Sequence, residues 1–208
     1  MSKDPYQADF LNTQNTALSL PDADIEYTPD FIDQHEAIAL YEELVADLDW
    51  RQEVIKVYGK SHPTPRLSCW MGETGLPYGY SQTAMEAMPW SATILNMKQA
   101  LEVSTKTVFN SVLINYYRDG RDSVGWHSDD EPEFGKNPLI ASVSLGASRD
   151  FHLRHKQHKL THKMPLNNGS LLIMKGPTRH YWQHHIPKRA HAQGRVNLTF
   201  RTFKAAGS

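Results

Sequence analysis

Beyond Val108 the chain shows no sustained helical spacing of apolar residues. It runs as short alternating segments cut by Gly, Pro and Asn, and this limits its folds more than any other feature. Successive strand side chains point to opposite sides. In Phe109 to Tyr117 that places Val112, Ile114 and Tyr116 on one face and Leu113, Asn115 and Tyr117 on the other. Leu139 to Leu145 alternates Leu, Ala, Val and Leu against Ile, Ser and Ser. Phe151 to His155, Leu160 to Met164, Ser170 to Met174, Tyr181 to Ile186 and Arg195 to Phe203 complete the set. Gly135, Gly146, Asn167-Asn168-Gly169, Gly176-Pro177 and Gly194 separate them. Many short strands without intervening helices predict a β-sandwich or jelly roll.

The first half differs. An N-cap at Asp33, with Glu36 three residues on, opens a helix whose stripe is Ala37, Ile38, Tyr41, Leu44, Val45 and Leu48. A second helix is predicted after Pro89-Trp90, with Ser91 as cap, running to about Glu102. Between them lie short extended pieces, a strand end or hairpin tip at Val57-Tyr58-Gly59-Lys60, and a loop-like Met71 to Met88. The class expected is α+β, mainly β, with a strand core buttressed by N-terminal helices. At 208 residues this fits one domain, 31–208, preceded by an acidic, poorly ordered extension, 1–30.

Charge is unevenly spread. Residues 1–50 hold twelve acids and one base, Lys3, whereas residues 51–208 hold eleven acids and twenty-one bases. From Arg149 onward a single acid, Asp150, faces twelve Lys and Arg, together with eight of the eleven histidines. Such a lobe suits polyanions, unless the acidic N-terminal segment packs on it and neutralises it. The lone Cys69 rules out an internal disulfide. No apolar run is long enough to span a bilayer, and the polar N-terminus is unlike a secretory signal. A soluble, intracellular, monomeric protein without membrane contact is expected.

In Trp126-His127-Ser128-Asp129-Asp130-Glu131 an imidazole and a carboxylate stand two residues apart. On extended backbone they would share a face, two thirds of the two-His, one-carboxylate set of non-heme Fe(II) oxygenases. The third ligand is sought at His184 or His185, between which spacing does not choose. On the last strand Arg195, Asn197, Thr199, Arg201 and Phe203 share a face opposite Val196, Leu198 and Phe200. Two inward arginines need anionic partners, either Asp or Glu side chains or a small dicarboxylate that guanidinium groups grip bidentately. Asn115 and Tyr117 can address the same ligand.

Together the motifs Asn115-Tyr116-Tyr117, His127-Ser128-Asp129-Asp130-Glu131, Ile140 to Gly146 and Arg195 to Arg201 resemble the AlkB family of Fe(II)- and 2-oxoglutarate-dependent dioxygenases. The similarity runs from about Val57 to Phe203 and is greatest to the eukaryotic homologues numbered two and three. It implies a double-stranded β-helix (jelly roll) core over 107–203 and a substrate-recognition lid and finger within 52–106. It also implies iron ligands His127, Asp129 and His184, and 2-oxoglutarate held by Asn115, Tyr117, Arg195, Asn197, Thr199 and Arg201. Fe(II), 2-oxoglutarate and O2 would then generate a ferryl oxidant that hydroxylates an N-alkyl carbon. The products are the repaired base, formaldehyde, succinate and CO2.

The resemblance also suggests the substrate side. Tyr58 is similar to an intercalating finger residue, although an ordinary exposed hairpin tyrosine would look the same. Tyr78 and Tyr80 are similar to lid residues. Trp126 could stack on a base or be a core indole. Glu131 is similar to the acid that accepts from the exocyclic amine of 1-methyladenine or 3-methylcytosine. Arg149, with the basic hairpin Arg154 to Lys163, would contact phosphates. The expected partner is alkylated DNA or RNA. The hairpin tip points to duplex and the Trp126 to Pro132 stretch to single strands. The expected compartment is a bacterial cytoplasm, or nucleus and cytoplasm in a eukaryote. Two other readings compete, namely a related dioxygenase acting on protein or lipid and a nucleic-acid-binding module with a vestigial site.

Overall fold

The computed structural model describes residues 15–57, 59–76 and 87–204. Strands β1 (Thr16–Ala17) and β2 (Asp24–Thr28) precede helix α1 (Gln34–Asp47). A hairpin of β3 (Val54–Val57) and β4 (Lys60–Pro63) leads to β5 (Leu67–Gly72) and helix α2 (Ala92–Thr105). Then come β6 (Ser111–Tyr117), β7 (Val124–His127), β8 (Ile140–Gly146), β9 (Arg149–His155), β10 (Thr161–Leu166) and β11 (Ser170–Lys175). Helix α3 (Thr178–Tyr181), β12 (Trp182–Ile186) and β13 (Arg195–Arg201) close the chain.

Seven strands form one sheet in the order β1-β2-β11-β8-β13-β6-β5, and β10-β9-β12-β7 form a second. The pairings within both sheets are antiparallel. Their inner faces meet, with Tyr117, Ile140, Leu172 and Met174 packing against Phe151, Leu153, Trp182 and Ile186. The outer face of the larger sheet is covered by the helices, where Leu44, Ile94, Met97 and Leu101 pack on Val112, Val143, Val196 and Leu198. This is the jelly roll with buttressing helices. β13 is buried along its whole length, because its apolar residues enter the helix-side core while its polar residues enter the space between the sheets.

Three expectations change. Residues 1–30 are not all a loose extension. β2 pairs along β11 with Ile25 only 1% exposed, and the Glu26 carboxylate accepts from Lys175 Nζ. Its acids pair with a cation while its apolar residue faces the core, so composition hid a strand. Residues 1–14 lie outside the described residues. In α1, Ile38 is 53% exposed, while Ala37 and Leu44 are buried and Leu40, Tyr41, Val45 and Leu48 pack beside them. Ile38 stands roughly 100° around the helix from Ala37, at the margin of the stripe. Lastly, α2 continues beyond Glu102 to Thr105 before a left-handed cap at Lys106. Its N-cap is Ser91, and Asp33 caps α1 by accepting from the His35 and Glu36 amides. Among the described residues no helix is long and apolar enough to cross a membrane.

One glycine lets the chain turn at the end of β8 beneath helix α1. Gly146 ends β8 opposite Arg195 with φ +84°, and a Cβ there would sit 2.6 Å from the Gly194 carbonyl oxygen and 2.8 Å from the Tyr41 ring. Gly146→Ala is expected to lower stability by roughly 2–5 kcal/mol, adding left-handed backbone strain to overpacking. Urea denaturation measures this directly.

Candidate active site

β7 and β12 are neighbours, and His127 lies directly across from His184. Their rings are 4.2 Å apart between centroids. β7 ends at His127, so Asp129 does not reach them through strand alternation. It turns back through a left-handed conformation, φ +51°, which Asp and Asn tolerate better than other side chains. Its Oδ1 lies 3.8 Å from His127 Nε2 and its Oδ2 lies 3.8 Å from His184 Nε2. The three ligand atoms lie within 4.8 Å of one another.

The surroundings prepare these groups for a metal. His127 Nδ1 lies 2.8 Å from the Gly125 carbonyl oxygen. A carbonyl only accepts, so the proton sits on Nδ1 and the Nε2 lone pair faces Asp129. Burial, followed by the neighbouring His127, pushes His184 down to about 3, so it is a neutral imidazole at physiological pH. Burial alone would raise the Asp129 carboxyl. Arg201, followed by His127 and His184, outweighs it and holds the group well below the usual carboxylate range. Arg201 Nη2 donates to Asp129 Oδ1 at 2.7 Å. Two imidazole nitrogens and one carboxylate form a ligand set suited to Fe(II).

The adjoining cavity is lined by all three ligands and by Asn115, Tyr117, Arg195, Asn197, Thr199 and Arg201. Of the two arginines expected to face inward, Arg201 has an acidic partner in Asp129. Arg195 is 1% exposed and donates through Nη2 to Ser144 Oγ at 2.9 Å, but its Nε and Nη1 have no hydrogen-bond partner among the described residues. Burial lowers its pKa to about 10. A guanidinium edge left open in a buried cavity fits a carboxylate. Asn197 donates to Ser142 Oγ and the Val143 carbonyl and accepts from Thr199, so these two side chains bond chiefly to the sheet itself.

Sequence reasoning missed Arg66. It is buried, lines the cavity and donates through Nε to Asn115 Oδ1 at 2.9 Å, which leaves the Asn115 amide nitrogen as a donor. Only its position two residues before Ser68, which pairs with Asn115, marks it. Ser142 and Ser144, the polar residues of alternating β8, were legible as inward-facing but carried no assigned role.

The substrate-side residues scatter. Tyr58, Tyr78 and Tyr80 lie outside the described residues, although Val57 pairs with Lys60 and so forms the expected hairpin. Glu131 stands beside the cluster, half-buried, with Oε2 unpartnered among the described residues. Burial, and then the nearby Asp129, raises its pKa. Trp126 neither lines the cavity nor enters the core. Its indole stacks on His185 on the outer face of the smaller sheet. Arg149 is not a surface phosphate contact, being fully buried and donating to the carbonyls of Asp119, Asp122 and Pro187. In the rest of the basic hairpin Arg154, Lys156, His158, Lys159 and Lys163 are exposed, His162 is half-buried and His155 is buried.

A second cluster, Asp22, His155 and His158, also gathers possible ligands. Yet His155 Nδ1 accepts from the Gln157 and His158 amides, so its proton sits on Nε2 and points to Asp22 Oδ2 at 3.3 Å. His155 therefore has no lone pair to offer, and the group pins the N-terminal segment to β9.

A jelly roll with a His-Asp-His cluster between its sheets defines a non-heme Fe(II) oxygenase. Residues 24–201 match the 2OG-Fe(II) oxygenase superfamily. The chain is 45% identical over 185 residues to the alpha-ketoglutarate-dependent dioxygenase alkB homolog 3 of Mus musculus, an alignment covering 84% of this chain and 64% of that one. It is 38% identical over 178 residues to the DNA oxidative demethylase ALKBH2 of Homo sapiens, covering 80% and 68%. The solved structure of OsALKBH1 shares the fold, with a TM-score of 0.65 at 17% identity over 91% of this chain and 100% of that one. The chain belongs to the AlkB family of 2OG-Fe(II) oxygenases. It spans about 64% of the length of the alkB homolog 3 protein it matches. Enzymes of this superfamily use Fe(II), 2-oxoglutarate and O2, and His127, Asp129 and His184 form the iron-binding triad.

Proposed function

We propose that this chain oxidatively removes N-methyl groups from 1-methyladenine and 3-methylcytosine in DNA or RNA. The observation that carries the reading is Glu131. A half-buried carboxyl group whose Oε2 has no hydrogen-bond partner among the described residues, next to the iron triad, favours a donor or a cation. Bases methylated at these positions offer both, in an exocyclic amine on a positively charged ring.

His127, Asp129 and His184 would hold the iron, and Arg195, Asn115 and Tyr117 would orient 2-oxoglutarate beside it. When bound, iron and 2-oxoglutarate with O2 would supply the oxidant that hydroxylates the N-methyl carbon, with succinate and CO2 as coproducts. The hydroxylated base would then break its C–N bond, releasing formaldehyde and the repaired base. The exposed cations of the β9–β10 hairpin would neutralise phosphates and Glu131 would seat the base. The names of the relatives, a dioxygenase and a DNA oxidative demethylase, support the same reaction. Three converging ligands count against a vestigial site.

Incubation with Fe(II), 2-oxoglutarate and oligonucleotides carrying either lesion is expected to release formaldehyde; silence on single-stranded and duplex DNA and on RNA alike rejects the reading. Glu131→Ala is expected to lower kcat/KM by about 10–100-fold, the loss of one charge-assisted hydrogen bond. If the hairpin tip acts as a finger, Tyr58→Ala lowers the rate on duplex DNA and spares single strands.

A further inference from the structure

The two histidines of the triad sit on strands with little backbone pairing between them. β7 is a four-residue edge strand, and it pairs with β12 at His127↔His184 and Val124↔Ile186. Between those pairs β7 has one residue more than its partner, so Gly125 and Trp126 together face His185. A bulge bends its strand and interrupts the ladder. Here it also brings Val124 and His127, three residues apart, to the same inner face. A slip of one residue would turn His127 away from His184.

Side chains on the outer face bridge the interrupted ladder. The Trp126 indole stacks on His185 with centroids 3.9 Å apart and planes 26° apart. The Arg154 guanidinium lies over the same indole at 4.2 Å, and its Nε donates to Gln183 Oε1 at 2.9 Å. His185 Nε2 lies 3.2 Å from His152 Nδ1 on β9. The stack therefore ties the edge strand to β12 and, through His152 and Arg154, to β9. Cation–π and stacked aromatic contacts of this kind are directional as well as attractive, and Trp126 is engaged by both.

We propose that Trp126 is a positioning residue of the metal centre. Its stack on His185 and Arg154 holds β7 in the bulged register that sets the separation of His127 from His184. It touches no reacting atom.

Titrating Co(II) into the whole chain in place of Fe(II), followed by visible absorption, tests this for Trp126→Ala and Trp126→Phe. Trp126→Ala is expected to weaken Co(II) binding by about 10–100-fold, as loss of an outer-shell support does, and to alter the spectrum at saturation. Trp126→Phe keeps a ring on His185 and should retain most of the affinity and the parent spectrum. Unchanged affinity and spectrum in Trp126→Ala overturn the proposal. So does a lowered melting temperature of the metal-free protein with an unaltered saturated spectrum, since packing alone explains that. Should Trp126→Ala fail to fold, His185→Ala removes the other half of the stack, and the same two readouts decide.

Discussion

Asp129→Asn is expected to abolish 2-oxoglutarate turnover and to destabilise the protein at the same time. The carboxylate does two jobs that asparagine cannot do. It lies 3.8 Å from both ligand nitrogens, so its loss should reduce metal affinity by more than the ~10–100-fold typical of supporting residues around a metal. It also accepts from Arg201 at 2.7 Å, with side-chain exposures of 8% and 2%. Breaking a buried ion pair from one side costs about 3–5 kcal/mol. Asparagine keeps the tolerance for φ +51° that the turn requires, so this variant isolates the charge. Asp129→Ala adds backbone strain of about 1–2 kcal/mol. Combining Asp129→Asn with Arg201→Met should recover part of the stability but none of the activity. Urea denaturation and metal analysis of the three proteins separate the two roles. An Asp129→Asn protein as stable as the parent would show that Arg201 does not depend on this carboxylate.

What the sequence made legible is the part governed by period-two alternation. Along β13, Arg195, Asn197, Thr199 and Arg201 separate from Val196, Leu198 and Phe200, and β6 and β8 divide their residues in the same way. Those three adjacent strands supply most of the polar side chains that line the cavity. Alternation fails where the backbone departs from a plain strand. The extra residue at Gly125-Trp126 cannot be counted from spacing, so the sequence points Trp126 to a base or to the core. The left-handed turn at Asp129 gives the convergence that strand spacing suggested, but by another route. His184 over His185 was beyond spacing for a simpler reason, since either neighbour could face inward until the register of β12 was known.

Charge was the poorer guide. Arg149 opens a run of cations and reads as one of them, yet it is buried, its donors turned to three backbone carbonyls. Those carbonyls lie around Asp119–Asp122 and at Pro187, far along the chain, and no local pattern announces them. The acidic N-terminal stretch misled in the opposite sense, because a strand bearing Asp24 and Glu26 beside Lys175 needs only Ile25 to anchor it.

Arg195→Met should move two measurements in opposite directions. Without 2-oxoglutarate, the parent keeps a buried guanidinium with two unpartnered nitrogens, and burial has already lowered its pKa to about 10. Among the described residues only Ser144 and the Tyr117 ring meet this charge, without a carboxylate, so replacing it with an apolar chain of similar length is expected to raise stability by about 1–3 kcal/mol. With 2-oxoglutarate, the same nitrogens should meet a carboxylate. Removing one side of a buried charged pair costs about 2–5 kcal/mol, which weakens 2-oxoglutarate binding roughly 30- to 5,000-fold. A ligand that binds only the folded protein raises its melting temperature in proportion to the logarithm of its excess over Kd. The parent melt should therefore climb with added 2-oxoglutarate, while the Arg195→Met melt starts higher and stays flat. Arg195→Lys should fall between them, since an ammonium keeps the charge but not the fork that matches a carboxylate. If Arg195→Met melts lower than the parent without 2-oxoglutarate and still responds to it, Arg195 is a structural arginine and the carboxylate is held elsewhere.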